Sequence, residues 1–325
     1  MKPLGLLAAA TLLYAQSPFK LEKTIPMPGV NGRIDHLAVD LKDKRLIVAA
    51  LGNNTVEVID LAAGKHLQSL AGMAEPQGTA YSPDSGKIYV ANGKDGKVRI
   101  FDAATLKPAG EIAVGEDADN LRYEAAKKLL WVGWTDGALT SINVMNGQRS
   151  GGDIYLDKHP ESFQLEKNGP RIFVNVPDAG EIEVIDRVRR VVMTKWRVRG
   201  GEANFPMALD EANHRLFIAY RKPAKLLVWD TETGKIVTEF PCPGDSDDVF
   251  YDAARKRLYV AGGVPGEIET FQQNSPDQYQ SLGKTATAYK ARTALFVPDL
   301  NRLFVAVPHM PKGSATAEVR VFTVE

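Results

Sequence analysis

The amino-acid sequence predicts an all-β fold, a seven-bladed β-propeller of four-stranded blades, and three observations lead there. A short apolar strand recurs seven times, as Leu46–Ala49, Ile88–Ala91, Leu130–Gly133, Ile172–Asn175, Leu216–Ala219, Leu258–Ala261 and Leu303–Ala306. Successive copies lie 42, 42, 42, 44, 42 and 45 residues apart, the repeat length of a propeller blade. The last copy stops one strand short, while a strand-like segment stands unused ahead of the first.

Each repeat has the same internal order. A short first strand, such as Leu37–Val39 or Met207–Leu209, runs into a tight polar turn such as Asp40–Arg45, Asp210–Arg215 or Asp252–Arg257. The apolar strand follows, rich in the β-branched and aromatic residues that favour a buried sheet. A Gly-, Asn- or Pro-containing loop leads to a third strand with alternating polarity, as in Val56–Asp60, Val98–Asp102, Ile182–Asp186 and Leu227–Asp230. Alternation with period two marks a strand, because successive side chains point to opposite faces. Turns such as Ala63–Lys65 and Thr233–Lys235 place glycine where the chain must reverse. A more polar fourth strand, exemplified by Ile236–Phe240, closes the blade. The seventh copy ends after its third strand, Val319–Val324, and Phe19–Ile25 is the candidate for its missing fourth. Pairing the two ends would close the ring and remove two exposed sheet edges. One propeller domain over 19–325 is therefore expected.

Composition bounds the chemistry. The 325 residues are 44% hydrophobic and 25% charged, with 40 Lys and Arg against 40 Asp and Glu. That balance exerts no long-range pull on nucleic acid or anionic membrane. At the N-terminus, Lys2 precedes the apolar run Leu4–Tyr14 and the small residue Ala15, the pattern of a secretory signal peptide over 1–15. The run is too short to cross a bilayer core of ~30 Å, so a periplasmic or secreted location with no transmembrane segment is expected. The single cysteine, Cys242, cannot form an internal disulfide or a Cys-cluster zinc site. His66 and His214 fall in turns expected to be solvated, and the four tryptophans are expected to pack between blades.

Ile88-Tyr89-Val90-Ala91-Asn92 and Ile172-Phe173-Val174-Asn175 resemble the signature of YVTN-type propeller repeats. Gly32-Arg33-Ile34-Asp35-His36, His159-Pro160-Glu161-Ser162, Asn204–Leu209 and Gly244–Asp248 further resemble a YncE-like group of exported bacterial propellers. The resemblance covers essentially all of residues 19–325. It implies a propeller exported from the cytoplasm, with no activity assigned to the group as a whole. It also brings in single-stranded nucleic acid, an association of some members; that would require a basic groove with stacking aromatics, which a neutral chain does not favour.

In a propeller, the segments leading into the first strands and the loops between second and third strands surround one mouth of the central channel. In blade order the leading segments supply Arg33, Asp35 and His36; Gln77; Asp119, Asn120 and Arg122; His159 and Glu161; Asn204; Asp247 and Asp248; and Arg292. The other loops add Asn53, Asn54, Asp95, Asp136, Asp178, Lys222, Lys225 and His309. So many ionisable groups around one channel are costly to hold without a partner. Arg33, Asp35, His36, Gln77, Asp119, Asn120, Arg122, Asn204, Asp247, Asp248 and His309 are therefore candidate ligand-binding residues.

The first functional reading is a binding or interaction scaffold taking a small molecule or a protein at this face. The alternative is a lactonase-like hydrolase or isomerase, by analogy of fold alone, with His159, Glu161 and Arg292 nearest the reaction. It could be metal-assisted, since oxygens of Asp119, Asn120, Glu161, Asn204 and Asp247 suit a cation such as Ca²⁺ in the channel. Nucleic-acid binding is the third and weakest reading. No Gly-x-Ser-x-Gly elbow or Cys-x-x-Cys-His haem site occurs. A monomer is expected.

Overall fold

The computed structural model describes residues 17–135, 137–310 and 316–325. The signal peptide expected over 1–15, and Asp136, lie outside these. Seven antiparallel sheets follow one another along the chain. Blade 1 comprises Leu37–Asp40, Arg45–Ala50, Thr55–Asp60 and Lys65–Leu70, and blade 2 comprises Pro76–Ser82, Lys87–Asn92, Lys97–Asp102 and Pro108–Ala113. Blade 3 has Leu121–Glu124, Leu129–Trp134 and Ala138–Asn143, with its outer position split between Gln148–Arg149 and Ile154–Tyr155. Blades 4, 5 and 6 begin at Phe163, Glu202 and Gly244, and blade 7 at Ala294. Among the described residues the only helical elements are four three-residue 3₁₀ turns.

The ring closes as the repeat arithmetic predicts. Phe19–Met27 pairs antiparallel with Ala317–Val324, in a register running from Phe19 opposite Val324 to Met27 opposite Ala317. Phe19, Ile25 and Met27 are buried, and the Phe19 ring packs edge-on against Tyr259 of blade 6 at 4.9 Å. The core is not one mass but seven apolar clusters, each filling the wedge between two adjacent blades. The second strand of every blade is buried on both faces, which explains its unbroken apolar sequence. Trp196 stacks on Trp229 at 5.9 Å between the outer and third strands of blades 4 and 5, in line with tryptophans serving blade packing.

On the face away from the candidate residues, carboxylates shape turns. Asp40 accepts from the Lys42 and Asp43 amides at 3.0 and 3.2 Å, and Asp210 and Asp252 act alike. These are local side-chain to backbone bonds that fix a reversal. His66 corrects the expectation of a solvated turn residue. It lies in the outer strand of blade 1, with Nε2 2.7 Å from Oε2 of the fully buried Glu57.

Candidate functional site

The segments before the first strands share one backbone arrangement. The amide of Asp35 donates to the Ala49 carbonyl at 2.7 Å, and the Ala49 amide donates back to the His36 carbonyl at 3.1 Å. Asp119 and Asn120 make the same exchange with Gly133, and Glu161 and Ser162 make it with Asn175. In blade 7 the Ala306 amide donates to Thr293, one residue after Arg292. Blades 2, 5 and 6 reach an equivalent place through a β-bulge. Their registers slip between Pro76 and Thr79, Asn204 and Met207, and Ser246 and Asp248, and Gln77, Phe205 and Asp247 are looped out. Bulges re-aim side chains in this way beside binding sites.

The result is a ring of one residue per blade: Asp35, Gln77, Asp119, Glu161, Phe205, Asp247 and Arg292. Their spacings, 42, 42, 42, 44, 42 and 45 residues, repeat those of the core strands. All seven line a cavity of about 360 Å³ at the channel mouth, with Arg33, His36, Asp117, His159 and Arg221 completing the wall.

The ring divides into a paired sector and an unpaired one. Toward blades 5 to 7, Asp247 contacts Arg221 and sits 2.5 Å from Arg292 Nε; Asp245 lies 2.9 Å from both Arg292 Nη1 and Lys290 Nζ. Burial works to raise the Asp245 pKa, but Lys290 and Arg292 outweigh it and hold the carboxyl below its ordinary range. Arg221 also lies over the Phe205 ring, 4.1 Å from its centroid, a cation–π contact. In blade 1, Arg33 Nη2 is 2.7 Å from Asp35.

Blades 3 and 4 carry no such compensation. Asp119 is buried, and its Oδ1 has no hydrogen-bond partner. Among the described residues nothing donates a hydrogen bond to the Glu161 carboxylate. Burial, followed by repulsion from Asp247 and Asp35, raises Glu161 to about 8. Burial, with Glu161 adding to it, raises Asp119 well above the carboxylate range. His159 Nδ1 is also without a partner, 3.8 Å from Asp117 Oδ2, and burial lowers its pKa.

His36 lines both this cavity and a second of about 370 Å³. Its ring nitrogens lie 3.9 Å from Asp35, 4.0 Å from Asp119 and 3.9 Å from Asp248. Burial lowers the His36 pKa and raises that of Asp248. Arg122 lines the second cavity and donates to Ser162 Oγ at 3.1 Å.

Three candidates are placed elsewhere. Asn204 turns into the blade packing, donating to Asn175 Oδ1 at 3.0 Å, and Asn120 turns onto Asp119 Oδ2 at 3.2 Å. Both side chains satisfy internal polar groups rather than facing the cavity. His309 lies outside the cavity wall, its Nδ1 2.8 Å from Asn31 Oδ1. Arg292 lines the cavity, but its guanidinium is committed to Asp245 and Asp247. Conversely, sequence reasoning missed Asp117, Phe205 and Arg221 as site residues. Phe205 was findable, since it alone continues the ring spacing in blade 5; Arg221, at the end of a second strand, gave no signal.

Among the described residues, no three His, Asp or Glu side chains at the mouth bring their ligand atoms within 4.8 Å of one another. Among the described residues, the only trio of metal-ligating side chains with ligand atoms within 4.8 Å of one another is Asp157, Glu181 and Glu183. That trio lies outside the channel and is already contacted by Lys195. The channel carboxylates are spread around the ring, with His36 between three of them.

No protein-family profile matches the chain. Among curated proteins it is similar to the uncharacterized protein YncE of Salmonella typhimurium and to its namesake from Salmonella typhi. Each is 22% identical over 180 residues, which cover 54% of this chain and 50% of the relative. The chain thus spans about half the length of these relatives. Among solved structures it resembles a chain of a mitotic checkpoint complex, with TM-score 0.78 and 15% identity over 100% of this chain and 98% of that one. It also resembles a chain of hydrazine synthase from Kuenenia stuttgartiensis, with TM-score 0.75 and 15% identity over 90% of this chain and 97% of that one. The structural likenesses establish the propeller fold, and the sequence likeness to YncE extends over about half of the chain. No helix of the described residues is long and apolar enough to cross a membrane.

Proposed function

We propose that this chain is an exported β-propeller that binds a small polar molecule at one mouth of its central channel. The observation that carries the reading is the unpaired sector of blades 3 and 4. Asp119 and Glu161 border a cavity of about 360 Å³ without the arginine ion pairs that Asp35 and Asp247 make, and Asp119 Oδ1 has no hydrogen-bond partner. Buried polar groups are ordinarily satisfied, and a concave site with convergent titratable groups is where a ligand satisfies them. Concavity also favours a small molecule over a flat protein surface. A thermal-shift screen of polar metabolites against the wild type and Gln77→Ala tests the reading. A hit weakened by the substitution supports it, and a hit indifferent to Gln77, Asp119 and Glu161 substitutions removes it. Export is tested by fusing residues 1–18 to a reporter that is active only outside the cytoplasm.

A second reading, lactone hydrolysis, is favoured by His159 and Glu161 lining one cavity, where burial and the neighbouring Asp247 and Asp35 push the Glu161 carboxyl up toward its protonated form. That carboxyl could give its proton to the departing ring oxygen while His159 takes one from the attacking water. His159→Ala against a lactone and ester panel decides this, since unchanged turnover eliminates it.

A further inference from the structure

We propose that the channel mouth selects a small organic cation, a molecule whose protonated amino or guanidino group is received by Asp119 and Glu161. The proposal rests on reading the mouth as a ligand site and adds the chemistry of what enters it.

The wall carries five carboxylates, Asp35, Asp117, Asp119, Glu161 and Asp247, against three arginines. The arginines are not free to hold an anion. Arg221 and Arg292 are bound to Asp247, and Arg33 to Asp35. The uncompensated groups are acids, and they face each other across adjacent blades. The Asp119 side chain is only 9% exposed, it lines the cavity, and its Oδ1 has no partner.

A metal ion fits this arrangement poorly. Ca²⁺ collects six to eight oxygens at about 2.3–2.6 Å, whereas no three carboxylate or imidazole side chains of the described mouth residues converge within 4.8 Å. An ammonium or guanidinium is larger, offers several N–H donors and can reach carboxylates that one ion cannot gather. The Phe205 ring already takes one cation, Arg221, on its face.

Proton linkage makes the proposal sharp. Glu161 faces Asp35, Asp247, Arg33 and Arg221 and is largely protonated near neutral pH in the empty site. A cation favours the charged form, so its binding expels a proton, and affinity rises as pH approaches 8. An anion would do the reverse.

Isothermal titration calorimetry at about pH 7, in two buffers of different ionisation enthalpy, tests this with agmatine and putrescine against phosphate, citrate, glucose and calcium chloride. Saturable binding of agmatine or putrescine with release of up to about one proton is expected. Glu161→Gln should weaken it at least about tenfold and reduce the release, with Asp119 supplying what remains. Wild-type proton counting needs no variant, so a misfolded substitution would not rescue or sink the idea. Binding of phosphate, citrate, glucose or calcium while the amines stay silent overturns the cation assignment and leaves the ligand site standing. Amine binding that Glu161→Gln leaves unchanged also overturns it. Silence from every probe counts against both.

Discussion

Replacing Glu161 by glutamine should change how the stability of the protein depends on pH. Folding lifts this carboxyl from an ordinary 4.5 to about 8, by burial first and by Asp247 and Asp35 next. Between those values the native state binds more protons than the unfolded chain. Stability therefore falls as pH rises from about 5 to 8, and then levels off. At about 1.4 kcal/mol per pH unit the full displacement corresponds to at most about 5 kcal/mol. Water in the open cavity solvates part of the charge, so about 1–3 kcal/mol is the expected loss. Glutamine keeps the shape and cannot ionise. The variant should match the wild type at about pH 5 and exceed it by that margin at about pH 9. Asp119 titrates together with Glu161, so the difference between the two curves belongs to the pair. Urea unfolding at pH values from about 5 to 9 measures it. Parallel curves for the two proteins, or a wild type that gains stability from pH 5 to 8, would refute the reasoning.

Other outcomes follow from packing and pairing. Phe19→Ala should cost about 3–5 kcal/mol, because the ring is buried against Tyr259 and Phe322 at the closure; a loss below about 1 kcal/mol in chemical denaturation would mean the ring closes without it. Arg292→Leu leaves Asp245 and Asp247 short of a counter-charge and should destabilise by about 2–3 kcal/mol, less than a fully buried pair because Arg221 and Lys290 remain; an unchanged urea midpoint contradicts this. Gly78→Ala places a Cβ on the Asp119 carbonyl, so it should lower thermal stability and weaken amine binding together. Weakened binding at unchanged melting temperature would show that the overlap is relieved within the site.

Much of this architecture was legible in the sequence, for a physical reason. The second strand of each blade is sandwiched between neighbours, so its apolar pattern cannot drift, and its spacing survives as the clearest signal in the chain. Ring closure was legible because Phe19–Ile25 has the pattern of a strand and no other partner. Placement at the channel mouth was readable where the repeat spacing decides it, as for Asp35, Gln77, Asp119, Glu161, Asp247 and Arg292. In blade 5 the bulge shifts which residue is presented. Asn204 has the chemistry of a site residue, yet the bulge that follows presents Phe205 and leaves Asn204 to hold Asn175. Arg221 was invisible because its role depends on an acid 26 residues away. The His66 error is similar, since nothing local announces that Glu57 across the sheet is buried.

The seven ring positions also act as a short alphabetic record of the channel. Each letter is written at the same backbone address in its own blade and held there by main-chain bonds or a bulge rather than by its own side chain. In this chain the record reads Asp, Gln, Asp, Glu, Phe, Asp, Arg. A change of letter can therefore rewrite what the channel accepts while the scaffold stays in register. Any propeller with this blade geometry can be compared with this one by reading seven residues instead of three hundred.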